Sequence, residues 1–312
     1  MFTPKQWLAI AAGGFFSASL YALALTGNFG GLLLAVFYQL PVFLIGLSMG
    51  TVAGAFAGAC AAAGMLVIFG ALGFLVFVLF NAAPVIIMIR QALLSRADEN
   101  EGKEWYSSGL LAAYATGLAL VLLTGAFLWL GATTEGIQAA IEEFLGAFAD
   151  KVLAGVPAAQ RAQVVDSIAP ILPGAIGLYW IVTLVVNGAL GQGLLVRFGY
   201  NLRPSPDFSA MHLPRWLRDA AAILLIGAIA LPGVFGFYAV NAAILVSLPF
   251  FLIGLAVVHV AAKRVATGSL LLIVFYILMI LFGWPVVFVA FLGLIEQIAG
   301  FRRKLANAGE EE

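Results

Sequence analysis

Long apolar runs alternate with short polar or charged segments along the whole sequence. A helix needs about 20 mostly apolar residues to cross the hydrocarbon core of a bilayer. The pattern predicts an all-α, polytopic helical membrane protein with about ten transmembrane spans. The ten runs lie at 6–26, 30–49, 51–69, 71–90, 106–131, 168–197, 215–236, 238–262, 266–282 and 285–301.

Four of these runs are short, which leaves the number of spans open. The third and fourth are joined by a tight turn at 70–73, and the ninth and tenth by one at 283–285. Short neighbours joined in this way could instead be re-entrant pairs that enter and leave the membrane on one side. Eight full spans are therefore the alternative to ten.

The composition excludes a soluble protein. Hydrophobic residues make up 63% of the chain and charged residues 10%, against about 45–50% and about 25% in soluble globular proteins. The net charge is zero, so nothing points to a nucleic-acid partner. The single cysteine, Cys60, excludes an internal disulfide framework and a zinc site built from cysteines. We predict no metal, no cofactor and a lipid bilayer as the immediate partner.

The positive charges predict the orientation of the chain. Most Lys and Arg residues fall in segments that ten spans would place on one side of the membrane, whereas only Lys151 and Arg161 fall on the other. Because cytoplasmic loops carry an excess of Lys and Arg, we expect both termini in the cytoplasm. The apolar run after Lys5 is interpreted as a retained first span rather than a cleaved signal peptide.

The spans form one integral membrane domain, 1–312, with an internal order. Two four-span units each begin and end in the cytoplasm, and a near-repeat of 40–47 at 248–255 suggests that they are related. The outer-side hairpin either lies on the membrane interface or acts as a lid over a cavity. The predicted parts are a four-span unit at 5–90, two spans with an outer-side amphipathic hairpin at 106–197 (hairpin 132–167), a Pro-rich cytoplasmic connector at 198–214, a second four-span unit at 214–303 and an acidic tail at 304–312.

Sequence signatures of soluble enzymes are absent. The chain has no Walker A, HExxH, CxxC or dinucleotide-binding motif. A GxSxG match at 46–50 ends an apolar helix, where small residues for a tight turn explain it better than a catalytic Ser48 does. We therefore predict that the chain is not an enzyme and has no catalytic residue.

A few polar side chains fall inside predicted spans, where each needs a partner because lipid offers none. Hydrogen bonds between helices are one interpretation. The other is a polar substrate pocket lined by amides, near prolines such as Pro41 and Pro84 that would free backbone groups. The four candidate pocket residues are Gln39, Asn81, Asn187 and Asn241.

Two ionisable residues near the inner ends of spans are candidates for ion coupling or partner recognition. Glu296 lies six residues before Arg302, so a structural ion pair with Arg302 or Arg303 is the alternative. His259 is the second candidate, and a hydrogen-bonded packing role is its alternative.

The connector and the residues that follow it form the most distinctive polar stretch. Its prolines stiffen the backbone, and its basic and aromatic side chains can meet lipid headgroups. It is either a stiff loop on the lipid or a docking site for a membrane or cytoplasmic protein. The docking hypothesis depends on Arg203, Pro204, Pro206, Asp207, Phe208, Arg215 and Trp216.

Small residues recur at helical spacing in the first and third spans. Such faces let two helix backbones approach closely, so we predict helix packing there. A smooth face that docks another membrane protein is the alternative. The packing residues are Gly50, Gly54 and Gly58 in the third span and Ala9, Gly13 and Ser17 in the first.

The connector and the second half of the chain resemble a known family. The pattern Arg203-Pro204-x-Pro206-Asp207-Phe208, the stretch 254–259 and the ending 292–303 carry the resemblance. They resemble the YybS-like family of bacterial membrane proteins of unknown function, which is similar to the S components of energy-coupling-factor transporters. The resemblance implies an S-component-like core in the bacterial cytoplasmic (inner) membrane and brings no known substrate.

Two function hypotheses follow. The first is a membrane substrate-binding or transport subunit for a small molecule, which would need a separate energising partner because the chain has no nucleotide-binding motif. The alternative is a non-catalytic membrane scaffold that recruits envelope or cell-division proteins through the connector.

Overall fold

The computed structural model describes residues 1–26, 29–98, 102–130, 134–206, 208, 211–265 and 267–301. The chain divides into two compact units. Unit 1 comprises Met1–Ala115 and Val182–Asp207, and unit 2 comprises Thr116–Ile181 and Phe208–Glu312. The two long helices α6 (Ser108–Trp129) and α9 (Leu172–Phe198) contribute residues to both.

Five helical stretches are long and apolar enough to cross a membrane, by length and composition. The chain is therefore an all-α membrane protein that crosses the bilayer several times. The number ten, the S-component-like core and the cytoplasmic termini stay predictions. The five stretches are Pro4–Leu25, Thr51–Ala92, Ser108–Trp129, Ala158–Phe198 and Gly233–Ala262.

Unit 1 is built from helices and one small β-hairpin. The hairpin pairs Ser95 with Trp105 and Asp98 with Gly102 in antiparallel register, and the apolar pattern did not predict it. The elements before α6 are α1 (Pro4–Leu25), α2 (Phe29–Leu34), a 3₁₀ turn (Ala35–Phe37), α3 (Leu40–Met49), α4 (Thr51–Phe77), a π-helical turn (Val78–Ala82), α5 (Ala83–Ala92), β1 (Ser95–Asp98) and β2 (Gly102–Trp105).

The long stretch Thr51–Ala92 is interrupted at Gly70. A straight helix of this length would extend about 60 Å, twice the thickness of the hydrocarbon core. Gly70 has φ 71° and ψ −165°, a backbone conformation that is almost confined to glycine. After it the chain folds back, so that Gly58 lies against Ala82 and Ile86. The break agrees with the turn predicted at 70–73, and either two spans or a re-entrant pair fits it.

A π-helical turn separates α4 from α5. Its defining bond runs from the Ala83 N–H to the Val78 carbonyl, five residues back. Pro84 follows directly and has no N–H to donate to the carbonyl of Phe80. The proline therefore gives a local reason for the widened turn, which contains Asn81.

The regular elements of unit 2, among its described residues, are all helices. The octapeptide at 248–255 lies inside the 30-residue α11, whereas its near-repeat at 40–47 begins a helix in unit 1, so the two copies differ in local structure. The elements after α6 are α7 (Thr134–Val152), α8 (Ala158–Ile168), a 3₁₀ turn (Ala169–Ile171), α9, α10 (Arg215–Ala230), α11 (Gly233–Ala262), α12 (Gly268–Phe282) and α13 (Pro285–Ala299).

Helices α11 and α13 of unit 2 cross in close contact. A side-chain carbon at Gly293 would overlap the backbone carbonyl of Phe250, and one at Gly254 would overlap that of Val289. Reciprocal glycines thus let the two backbones touch. This crossing lies outside the small-residue faces that the sequence singled out.

Two helices, α7 and α8, occupy the segment for which the sequence predicts a hairpin. Pro157 precedes α8, and Arg161 forms an ion pair with Asp150 of α7 at 2.8 Å. Ile137 is buried, while Phe144 and Phe148 of α7 are exposed. The exposed aromatic rings fit a hairpin that rests on lipid. The side of the membrane on which it lies stays a prediction.

Candidate functional site

Unit 1 contains four buried amide side chains that are each short of a hydrogen-bond partner. One of them, Gln192, lies beside Arg203, and the other three are predicted pocket residues. Gln39, Asn81 and Asn187 are 1%, 3% and 0% exposed. Among the residues that the structure describes, no group donates a hydrogen bond to Gln39 Oε1, Asn81 Oδ1 or Asn187 Oδ1. We call these three residues the amide cluster. They are three of the four residues predicted to line a substrate pocket.

The members of the amide cluster contact neighbouring residues of unit 1 rather than one another. Gln39 Nε2 donates to the Tyr38 hydroxyl at 3.0 Å, and the rings of Tyr38 and Tyr21 pack edge to face with centroids 5.2 Å apart. The side chain of Asn81 lies close to the Tyr21 hydroxyl. Asn187 Nδ2 donates to the Val36 carbonyl at 2.6 Å, two residues before Tyr38. Gln39 and Asn81 are thus linked through Tyr38 and Tyr21, and Asn187 joins α9 to the 3₁₀ turn that precedes Tyr38.

The hydrogen bonds of Asn187 orient its amide so that oxygen is the atom left over. Asn187 Nδ2 donates to two backbone carbonyls, Val36 at 2.6 Å and Thr183 at 2.7 Å. A carbonyl can only accept, so the Asn187 oxygen must point the other way. Each buried acceptor without a partner costs about 1–3 kcal/mol. Such groups in a native protein are expected to receive a ligand or a water molecule.

The backbone around the amide cluster is irregular. Gln39 lies between the 3₁₀ turn and α3, and Asn81 lies in the π-helical turn. Pro41 and Pro84 follow them within three residues. Broken helices and π-helical turns release backbone carbonyls from the regular pattern and recur at ligand sites in membrane transporters.

The fourth predicted pocket residue, Asn241, belongs to unit 2. Its Nδ2 donates to the carbonyls of Pro170 at 2.9 Å and Phe237 at 2.8 Å, and its Oδ1 accepts from the Gly174 N–H at 2.7 Å. The oxygen therefore connects α11 to the first turn of α9, and the nitrogen connects it to the 3₁₀ turn before α9. The contacts are those of an interhelical hydrogen-bonding residue, and its pocket role stays a prediction.

Glu296 and His259 form local hydrogen bonds in unit 2. The Glu296 carboxylate accepts from the Phe301 N–H at 2.6 Å, beyond the end of α13. Its expected partners Arg302 and Arg303 lie outside the described residues. His259 Nδ1 is 2.8 Å from the Leu255 carbonyl, and Nε2 is 3.4 Å from the Tyr276 hydroxyl. Roles in ion coupling or partner recognition stay predictions for both.

Arg203 in the connector is buried, although the sequence suggested that it would meet lipid headgroups. It is 4% exposed, and its Nη1 donates to the carbonyls of Ala92 at 2.8 Å and Tyr106 at 3.3 Å. Its guanidinium lies 5.8 Å from the centroid of the Trp105 ring. The Arg203 carbonyl accepts from Gln192 Nε2 at 2.7 Å. Arg203 thus joins the end of α5, the β-hairpin, α9 and the connector.

Burial lowers the pKa of the Arg203 guanidinium from its ordinary value because water no longer solvates the charge fully. Arginine still keeps its proton at every physiological pH. Within the described residues, no carboxylate lies within ion-pair distance of it. Backbone carbonyls and an aromatic ring therefore stabilise this cation.

The other docking candidates are more accessible. Pro204 and Arg215 are exposed, and Pro206 is half-buried. The aromatic side chains of Phe208 and Trp216 are 48% and 49% exposed. Asp207 lies outside the described residues. A docking role for the connector stays a prediction, and it now depends on these side chains rather than on Arg203.

The small-residue faces of α1 and α4 contact other helices of unit 1. Gly13 lies against Ile45, and Ser17 Oγ donates to the Tyr38 carbonyl at 2.6 Å. Gly54 lies against Gly46 and Ile89, and Gly58 against Ile86. These are internal packing contacts.

Gly50 has another role, because it has φ 98° in the turn between α3 and α4. Ala9 is half-buried.

The sequence did not single out the tyrosine beside Asn81 or the residues around Arg203. Tyr21 lies in an apolar helix, and Trp105 lies in a hairpin too short for a clear pattern. The one usable signal was a proline two or three residues after each of Gln39 and Asn81. Among the described residues, no three His, Cys, Asp or Glu side chains come together as a metal site would require.

One comparison with known proteins gave a match. A family model described as predicted membrane protein, DUF2232, matches residues 15–296. Neither the curated proteins nor the solved structures contain a match. The matched region includes the amide cluster, Arg203 and Glu296. Because the match spans nearly the whole chain, the protein belongs to the DUF2232 family of predicted membrane proteins.

Proposed function

We propose that the chain is a substrate-binding or transport subunit for a small molecule and that the amide cluster receives this ligand. The observation that carries the proposal is that the oxygens of Gln39, Asn81 and Asn187 are three of the four buried amide oxygens without a partner among the described residues. A ligand with positive or hydrogen-bond-donating atoms would satisfy them. The broken helices beside Gln39 and Asn81 support this function, since transporters commonly build their sites in such segments.

The proposed subunit acts with a separate energising partner in the bacterial cytoplasmic membrane. The sequence has no nucleotide-binding motif, so the chain cannot itself couple transport to ATP in the usual way. The resemblance to YybS-like proteins supports an S-component-like core that docks such a partner. In this proposal the chain is not an enzyme, and none of its residues is catalytic.

Ligand-induced stabilisation of the purified full-length protein tests the proposal. A panel of metabolites is screened for a rise in Tm, and hits are repeated on Gln39→Met. The control is Gln192→Met, because Gln192 is also buried and also has one unpartnered oxygen, at Oε1, but it contacts Arg203. We expect Gln39→Met to weaken ligand binding about tenfold or more and Gln192→Met to leave it unchanged. Equal weakening by both variants, or no hit, would count against the proposal.

The alternative is a scaffold that recruits envelope or cell-division proteins. It is supported by the exposed aromatic side chains of Phe208 and Trp216 beside the exposed Arg215. Trp216→Ala should then abolish recovery of a co-purifying partner without lowering Tm. Trp284→Ala, which removes another exposed tryptophan, is the control. Unchanged recovery with Trp216→Ala would rule out this version of the scaffold.

A further inference from the structure

Two positively charged side chains of unit 1 lie against the same aromatic ring. Lys103 Nζ is 6.0 Å from the centroid of the Trp105 ring, and the guanidinium carbon of Arg203 is 5.8 Å from it. Both charges therefore lie close to one point of the β-hairpin. Among the described residues, neither side chain forms an ion pair with a carboxylate. The hairpin thus has two neighbouring cations and no described counter-charge for either of them.

The strand register separates the charges of the hairpin. Successive side chains of a strand point to opposite faces, so Lys103 and Trp105 share one face and Glu104 lies on the other. Ser95 pairs with Trp105 across the strands and adds a hydroxyl to the face of this ring. Arg96 pairs with Glu104 on the opposite face. Among the described side chains of the two strands, the face of Trp105 therefore carries a cation and a hydroxyl but no carboxylate.

The guanidinium of Arg203 has donors that its contacts within the fold leave unused. Nη1 donates to the carbonyls of Ala92 and Tyr106, and Nε donates to the Pro204 carbonyl at 3.4 Å. Nη2 donates to no described residue. In the described part of the chain, the fully buried side-chain atoms without a partner are four amide oxygens, so Nη2 must be open to the surface. Its two N–H groups are available to a ligand beside the Trp105 ring.

We propose that Arg203, Lys103 and Ser95 bind a phosphate group beside the Trp105 ring. A phosphate has several acceptor oxygens, so it can accept hydrogen bonds from a guanidinium, an ammonium and a hydroxyl at once. The two positive charges would repel a cation, and an uncharged ligand would leave the buried guanidinium without a counter-charge. This site is separate from the amide cluster and goes beyond the proposed function.

The place of the hairpin in the chain favours phosphate over other anions. The hairpin links the apolar stretches Thr51–Ala92 and Ser108–Trp129, each of which is long enough to cross a bilayer. Because the link is short, the hairpin must lie near a membrane surface. Phospholipid headgroups supply phosphate there, and tryptophan and lysine are common at this depth. Trp105 is half-buried and Lys103 is exposed, as binding to a headgroup requires. The expected source is therefore a lipid, with a soluble phosphate as the alternative that the test separates.

Lipid binding to the purified full-length protein tests the proposal. Delipidated protein in detergent is titrated with phosphatidic acid, and native mass spectrometry counts the bound lipid. Diacylglycerol is the control lipid, since it has the same acyl chains without the phosphate. We expect phosphatidic acid to bind in preference to diacylglycerol, and Lys103→Gln to weaken its binding about fivefold. Arg96→Gln is the matched control variant, because it removes a cation from the opposite face of the same hairpin. Equal weakening by both variants, or equal binding of both lipids, would overturn the inference.

Inorganic phosphate distinguishes the two sources. Tm is measured in sodium phosphate and in sodium chloride at equal ionic strength, for the wild-type protein and for Lys103→Gln. A saturable rise with phosphate that Lys103→Gln weakens, without binding of phosphatidic acid, supports the site with a soluble ligand. Binding of phosphatidic acid without such a rise supports the site with a lipid. If neither binds, or if phosphate binds only after Asp207→Asn removes a competing carboxylate, the inference fails. Each of these outcomes leaves the proposed function standing, because none of the variants alters the amide cluster.

Discussion

Buried asparagines in this protein have two different patterns of hydrogen bonding. Asn241 uses both ends of its amide, donating to two carbonyls and accepting from the Gly174 N–H. Asn187 also donates to two carbonyls, but its oxygen has no donor among the described residues. The first pattern is typical of a residue that fastens helices together, and the second of a residue that still has bonding capacity for a ligand.

Substitution of Asn241 should destabilise the protein strongly. Asn241→Ala leaves the Pro170 and Phe237 carbonyls and the Gly174 N–H without their partner, so we expect a loss of about 2–4 kcal/mol in the free energy of unfolding. Denaturant unfolding in detergent measures it. Ser247→Ala in the same helix is the control, because the Ser247 hydroxyl bonds only the nearby Ile244 carbonyl. Equal effects of the two variants would contradict the role assigned to Asn241.

Because Arg203 is buried, we expect it to contribute to the stability of the fold rather than to the charge of the surface. Arg203→Ala removes hydrogen bonds from a charged donor to Ala92 and Tyr106, and we expect a loss of about 2–4 kcal/mol in the free energy of unfolding. Arg203→Lys should recover only part of it, because an ammonium lacks the planar fork of donors. Thermal unfolding measures both, with Arg197→Ala as the exposed control. If Arg203→Ala were as stable as Arg197→Ala, this role would be disproved.

The sequence predicted which residues would be polar and buried, but not which atoms would stay unpaired. Hydropathy places Gln39, Asn81 and Asn187 inside apolar runs. Their partners are backbone carbonyls and tyrosine hydroxyls that only the fold brings near. Arg203 shows the opposite case, because a loop arginine looks exposed in a sequence and is buried by contacts with Ala92, more than 100 residues away.

At the scale of elements, glycine decides where helices turn and where they touch. Gly70 divides the stretch Thr51–Ala92, and its φ of 71° coincides with the boundary between the two short apolar runs. Gly254 and Gly293 act differently, since they let α11 and α13 meet backbone to backbone. The sequence did not identify this second pair, because a glycine in an apolar run does not reveal which helix it faces.

The crossing of α11 and α13 should tolerate no added side chain. In Gly293→Ala the new methyl group would overlap the Phe250 carbonyl, so the helices must separate, and we expect a loss of about 1–3 kcal/mol in the free energy of unfolding. The control is Gly146→Ala in α7, where the space is open and alanine favours the helix. Unfolding of both variants in detergent compares them. Equal or higher stability of Gly293→Ala would show that the helices are not in such close contact.

At the scale of the whole molecule, the described surface is largely apolar. In α12, the side chains of Leu270, Ile280 and Leu281 are exposed. Gly268 is the one buried residue of this helix. Exposed side chains of this kind are stable only against lipid or another membrane protein. Composition alone was sufficient to predict this property, because 63% hydrophobic residues cannot all be placed in a core. It could not predict the two compact units, which depend on long-range contacts.

Cysteine labelling tests the orientation that the positive charges predict. In a Cys60→Ala background, which lacks cysteine, single cysteines are introduced as Ala158→Cys in α8 and Ser205→Cys in the connector, both at exposed positions. We expect a membrane-impermeant maleimide to label position 158 in intact cells and position 205 only after permeabilisation. Labelling of both positions in intact cells would refute the predicted arrangement of spans.

The π-helical turn at Val78–Ala82 makes the fold depend on the number of residues in this segment as well as on their types. Such a turn holds one residue more than the α-helix that could replace it. Deletion of one residue there would restore a regular helix and rotate all of α5 by about 100° relative to α4. Ile86 would lose its contact with Gly58, and Ile89 its contact with Gly54. The Ala92 carbonyl would no longer accept the hydrogen bond from Arg203. Homologous chains should therefore accept insertions and deletions on either side of this segment but keep its residue count.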